Sequence, residues 1–144
     1  MPEKVPYCWK DKLFLIVEDD PASSMLLEII ISRTGAKILF AESGEKAIEI
    51  VKRTRGIDII LLDIKLSGMN GLETAAIVKK IAPNIPIIAQ TACVVMGDKE
   101  RCLEAGCSAY IPKPIIAELL LETIYSQFNG PVNKEIFNSP FWSN

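Results

Sequence analysis

Five short apolar runs, LFLIV (13–17), KILFA (37–41), IDIILL (57–62), IPIIAQ (85–90) and SAYI (108–111), alternate along the chain with longer amphipathic stretches. This alternation constrains the fold more than any other feature of the sequence. Each run is short, mostly rich in branched residues and close to continuous in apolarity, as strands buried on both faces of a parallel sheet are. Parallel neighbours need crossovers, and the stretches between the runs supply them. Residues 21–34 open with Asp20 as N-cap and Pro21 at the first helical position, where a missing N–H is no loss. Leu26, Ile29, Ile30 and Arg33 follow at helical spacing, and Gly35 suits a left-handed C-terminal cap. Residues 44–55 begin after Ser43 and carry Ala47, Ile48 and Val51 on one face; residues 72–81 follow Gly71 with Leu72, Ala75 and Ala76. Residues 97–105 end at Gly106, and residues 115–128 supply Ile116, Leu119, Leu120 and Ile124. Strands and helices in strict alternation predict right-handed crossovers and a doubly wound α/β sheet.

With 144 residues, the chain is sized for one domain, expected over residues 11–128, with a tail or linker at 1–10 and a C-terminal tail at 129–144. Its 16 basic and 18 acidic residues leave a net charge of −2, and the basic residues are dispersed, which argues against direct nucleic-acid binding. No apolar run reaches the roughly 18 residues of a membrane span. The opening MPEKVPYCWKDK has no apolar core for a signal peptide, so a cytoplasmic location and no membrane insertion of this segment are expected. Cys8, Cys93, Cys102 and Cys107 match no metal-site spacing and read as reduced small hydrophobes or bystanders. There is no histidine. Serine–histidine and cysteine–histidine catalysis are therefore excluded, and the chain cannot be its own phosphohistidine donor.

Ligands of open parallel sheets bind outside the carboxyl ends of the strands. Glu18, Asp19 and Asp20 follow the first run, Asp63 the third, Thr91 the fourth and Lys113 the fifth. Singly each has an ordinary explanation: capping for the acidic triplet and for Thr91, a turn for Asp63, a solvated side chain for Lys113. Together at successive strand ends they make a phosphoryl-acceptor site. Clustered carboxylates repel one another, and Mg²⁺ relieves that repulsion with oxygen ligands. A carboxylate at a rigid strand tip can act as nucleophile toward phosphorus, and an ammonium and a hydroxyl can meet the equatorial oxygens.

The segments LFLIVEDDP, IDIILLDIKLSGMNG, IIAQTA and AYIPKP resemble the four signature segments of receiver domains of two-component response regulators, over about residues 12–128. The resemblance implies a flavodoxin-like fold with strand order 2-1-3-4-5, an order the residues alone do not give. It also implies that Glu18 and Asp19 hold Mg²⁺ with Asp63, that Asp63 is the phosphoacceptor, and that Lys65 lends its backbone carbonyl to the metal. Thr91 resembles the switch hydroxyl, Lys113 the phosphate-pairing lysine and Tyr110 the aromatic that turns with the switch; Lys113–Pro114 is similar to the family's cis X–Pro bond. The implied donor is a sensor histidine kinase or a histidine phosphotransfer protein, and the implied output is a protein target reading the surface of residues 92–125. No catalysis is implied beyond self-phosphorylation and slow autodephosphorylation. Trp9-Lys10 before the first strand is similar to the junction preceding C-terminal receivers of hybrid sensor kinases. The stretch after residue 128 is too short for an output domain, so a stand-alone regulator and a piece of a longer protein both fit.

Departures from the family pattern carry expectations too. Glu18 replaces an aspartate and reaches further. Ser67 stands where proline is usual, which predicts a looser loop after the acceptor. Lys65 and Cys93 occupy positions that influence hydrolysis, and neither positions water, which predicts a long-lived phosphoryl state. A degenerate receiver that binds partners without phosphorylation is the alternative reading, weakened by the presence of all the acceptor-site residues. A phosphatase on this topology would want a second carboxylate where Lys65 stands. A flavin-binding relative would want a phosphate-cradling loop where the carboxylates stand.

Overall fold

The computed structural model describes residues 7–91 and 98–129. The alternating pattern becomes β1 (Leu13–Val17), α1 (Pro21–Ser32), β2 (Lys37–Ala41), α2 (Gly44–Arg53), β3 (Ile59–Asp63), α3 (Gly71–Ile81), β4 (Ile87–Thr91), α4 (Asp98–Glu104), β5 (Ala109–Pro112) and α5 (Ala117–Asn129). The sheet order is β2-β1-β3-β4-β5, parallel throughout, with Leu13 paired to Lys37, Phe14 to Ile59, Ile60 to Ile87 and Ile88 to Ala109. This is the flavodoxin-like fold that the resemblance implied.

Side chains alternate across a strand, and here both faces are apolar. Leu15, Val17, Ile60, Leu62, Ile87 and Ala89 face α2, α3 and α4 through Ala47, Ile50, Val51, Ala75, Val78 and Cys102. Phe14, Ile16, Ile59, Leu61 and Ile88 face α1 and α5 through Leu27, Ile30, Ile31, Leu120, Leu121 and Ile124. Burial of one such side chain is worth about 1.5–3 kcal/mol, so two filled faces hold the central strands rigidly. Edge strand β2 differs from the both-faces reading, with Lys37 and Phe40 exposed.

Caps are placed where the sequence puts them. Asp20 Oδ2 accepts from the Ser23 backbone N–H at 3.0 Å, and Ser43 Oγ from the Lys46 N–H at 3.1 Å. Gly35 and Gly106 have φ of 86° and 103°, the left-handed region expected after α1 and α4. Helix faces differ more. Leu26 and Ile29 are exposed while Leu27, Ile30 and Ile31 are buried; Ala76 is exposed while Val78 is buried; Ile116 and Leu119 are exposed while Leu121 is buried.

Residues before β1 pack as well. Trp9, within the segment read as tail or linker, is 5% exposed and lies in the α1–α5 core. Its ring stacks on Tyr7 at 5.0 Å and Phe14 at 5.7 Å and meets the edge of Phe128 at 5.4 Å, while the Trp9 backbone N–H donates to the Thr34 carbonyl at 2.8 Å. Cys102 and Cys107 are buried and Cys8 is exposed; Cys93 lies outside the described residues. Among the described residues no helix is long and apolar enough to cross a membrane.

Candidate functional site

The carboxyl ends of the strands set the site. Asp63 is the last residue of β3 and Thr91 the last of β4, both nearly sealed from solvent at 5% and 2% exposure. Glu18 follows β1, and its N–H continues the ladder to the Ala41 carbonyl at 3.0 Å. Lys113 follows β5 and donates its N–H to the Thr91 carbonyl at 2.7 Å. Each functional side chain thus hangs from backbone already fixed by sheet hydrogen bonds. Gly71 brings α3 against the end of β3; a Cβ there would run into the Asp63 carbonyl.

Glu18, Asp19 and Asp63 each direct one carboxylate oxygen into a group whose members lie within 4.8 Å of one another. Lys113 closes the group, its Nζ 2.8 Å from Glu18 Oε1 and 3.5 Å from Asp63 Oδ2. Asp63 Oδ1 accepts the Lys65 N–H at 3.0 Å, and Glu18 Oε2 the Asp20 N–H at 3.2 Å. Burial pushes the Glu18 carboxyl from 4.5 up to about 7; Lys113 pulls it down and the adjoining Asp63 carboxylate pushes it up. Burial alone would lower the Lys113 ammonium, but Glu18 and Asp63 outweigh it and hold that ammonium above its usual range. Asp19 is held below the usual carboxylate range, chiefly by the Ser67 hydroxyl.

Among the described residues one lysine faces three clustered carboxylates, which leaves an excess of negative charge, and the ligand atoms are hard oxygens. That donor set fits a small divalent cation such as Mg²⁺. Asp20 stays apart as the α1 cap. Tyr110 is half-buried on β5, opposite Ala89 of β4, and the Lys113–Pro114 bond is cis. A cleft of about 230 Å³ beside Thr91 is lined by Ile64, Lys65, Asn70, Leu72, Arg101 and Cys102.

The loop after Asp63 is not the looser one expected from Ser67. Its backbone N–H and hydroxyl both donate to Asp19 Oδ2, at 3.0 and 2.8 Å, which ties the loop to the end of β1. In the sequence, Ser67 stands out only as a departure from proline. The signal was the pair of donors that serine carries at that position and proline lacks. Gln90, the last residue of the IPIIAQ run, has no assigned role in the sequence: it is fully buried, and among the described residues neither polar atom of its side-chain amide has a hydrogen-bond partner.

A flavodoxin-like sheet with carboxylates, not a phosphate-cradling loop, at its strand ends defines a class of acid-pocket α/β modules. The family model for the response regulator receiver domain matches residues 14–125, and the chain belongs to that family. Receiver domains are signalling domains of two-component systems, not classical enzymes. The chain is 38% identical over 117 residues to the polar-differentiation response regulator DivK of Brucella ovis, covering 80% of this chain and 94% of that one. It is 35% identical over 121 residues to hybrid signal transduction histidine kinase I of Dictyostelium discoideum, covering 78% of this chain but only 7% of that protein. Among solved structures, the receiver domain of sensor histidine kinase PA1611 from Pseudomonas aeruginosa PAO1 superposes with a TM-score of 0.76 at 28% identity, over 83% of this chain and 98% of the other. That structure has a magnesium ion coordinated in its active site cleft.

Proposed function

We propose that Asp63 accepts a phosphoryl group from a phosphohistidine on a sensor kinase or phosphotransfer protein, in the cytoplasm and with Mg²⁺ bound. The observation that carries this reading is the convergence of Glu18, Asp19, Asp63 and Lys113 on one pocket. An Asp63 carboxylate oxygen attacks phosphorus in line, the N–P bond breaks, and the electron pair leaves with the imidazole of the donor. Glu18, Asp19 and Asp63, with the Lys65 backbone carbonyl, would hold the Mg²⁺. Bound there, the ion would neutralise charge on the carboxylates and on the phosphoryl oxygens. Lys113 is already drawn to the acceptor, and exchange of its carboxylate partner for a phosphoryl oxygen keeps its charge paired.

Thr91 takes a second phosphoryl oxygen and moves toward it, and Tyr110 turns into the space released. The cleft beside Thr91 and the half-burial of Tyr110 on the neighbouring strand support this reading. The repacked surface lies within residues 92–125, of which 92–97 fall outside the described residues; exposed Leu103, Ile116 and Leu119 contribute to it. The donor docks at the other side of the acid pocket. There a cleft of about 350 Å³ runs from Glu18 and Asp19 to Met25 and Phe40, and α1 exposes Met25, Leu26 and Ile29. Lys65 is exposed and offers no water-positioning group, which supports a long-lived acyl phosphate.

The test is a mass gain of one phosphate when the chain is incubated with acetyl phosphate and MgCl₂. The gain should vanish in Asp63→Asn and without Mg²⁺. An unmodified wild-type chain, or equal labelling of the variant, would overturn the proposal.

A further inference from the structure

We infer that Ser67 is a positioning residue for the cation site, holding Asp19 in the orientation in which it meets the metal. This rests on the reading of Glu18, Asp19 and Asp63 as that site. Asp19 is only partly buried, so packing alone does not fix its side chain. What fixes it is Ser67, 48 residues away, whose N–H and Oγ–H both donate to the same oxygen, Oδ2. Two donors on one oxygen set the plane of the carboxylate, and with it the direction of Oδ1. Gly68, at φ 76°, bends the chain immediately afterwards, in a conformation that side-chain-bearing residues rarely adopt.

The same contact joins the two halves of the pocket. Asp19 hangs from β1, while Ser67 belongs to the loop that leaves Asp63 on β3. A ligand whose partner group is pre-oriented binds a cation without first ordering that group, and loss of such partners commonly weakens metal sites by on the order of tenfold or more. Proline at this position would supply neither donor. Alanine would keep the N–H and lose the hydroxyl, and threonine would keep both.

The experiment is a titration of the whole chain with MgCl₂, followed by calorimetry and by amide proton–nitrogen NMR shifts, in wild type and in S67A, S67P and S67T. The readout does not rely on tryptophan fluorescence, since Trp9 lies before β1, away from the strand ends that form the pocket, and Trp142 falls outside the described residues. The expected result is a dissociation constant raised about tenfold in S67A and at least as much in S67P, with S67T restored to the wild-type value. Metal-free spectra of the variants should match wild type outside residues 64–70 and the end of β1. Equal Mg²⁺ affinity in all four chains would overturn the role of Ser67 and leave the acid pocket standing, and so would tighter binding in S67A. A wild-type chain that binds no Mg²⁺ would overturn both.

Discussion

Glu18 is where this protein's electrostatics are most exposed to test. It is 5% exposed and packed beside Asp63, and its carboxyl is pushed up to about 7. Between 4.5, its ordinary value, and about 7, the folded chain holds a proton on Glu18 that the unfolded chain has released. The folded state then binds more protons, so raising the pH across that window destabilises it, and the loss levels off above the folded value. Glu122, also raised by burial, adds in the same direction. Urea unfolding across that pH range should show stability falling in metal-free protein, with the fall reduced in Glu18→Gln. Stability that climbs with pH through the window would contradict the assignment. Gln90 gives a second residue-scale prediction. Its buried side-chain amide has no partner among the described residues, which costs about 1–3 kcal/mol, and methionine has nearly its shape without its polarity. Gln90→Met should therefore raise unfolding free energy by an amount in that range; a drop in melting temperature would mean that the amide has a partner.

At the scale of elements, caps, strands and the α2 face of Ala47, Ile48 and Val51 were legible, while the faces of α1, α3 and α5 were legible only in part. Pro21 after Asp20, Ser43 before Gly44, and Gly35 and Gly106 after their helices each carry a local chemical reason that does not depend on the rest of the fold. The face of α1 has no such reason. Residues 25–31 read MLLEIII, apolar at every position but Glu28, so spacing cannot decide between Leu26 with Ile29 and Leu27 with Ile31. Packing decides, and it leaves the first pair in water. That exposure has a consequence. Leu26→Glu with Ile29→Asp should leave labelling by acetyl phosphate intact but slow transfer from a phosphohistidine protein donor by on the order of tenfold, a loss of about 1.4 kcal/mol. Equal slowing with both donors would remove α1 from the docking surface. Trp9 was illegible for a different reason. A single aromatic has no period, and only the closing of α5 over β1 supplies its neighbours Phe14 and Phe128. Trp9→Ala should destabilise the fold by about 3–5 kcal/mol in urea unfolding; a loss below about 1 kcal/mol would show that the aromatic cluster is incidental.

Taken whole, the molecule turns sequence distance into spatial convergence. A parallel sheet points every strand the same way, so residues that end or follow β1, β3, β4 and β5 reach one edge although they span positions 18 to 113. That is why the acid pocket could be read from strand ends alone. Its internal wiring could not be: the Ser67 tether to Asp19 and the Lys113 pairing with Glu18 depend on side-chain reach across 48 and 95 residues of chain, with no local signature. The most direct measurement of the central claim is to locate the phosphoryl group itself. Protein loaded with acetyl phosphate and Mg²⁺ is treated with borohydride, which reduces an aspartyl phosphate to homoserine, and is then mapped by peptide mass spectrometry. Homoserine at position 63 and nowhere else is the result expected; homoserine at 19 or 5-hydroxynorvaline at 18 in its place, or no reduced residue at any position, would contradict the account.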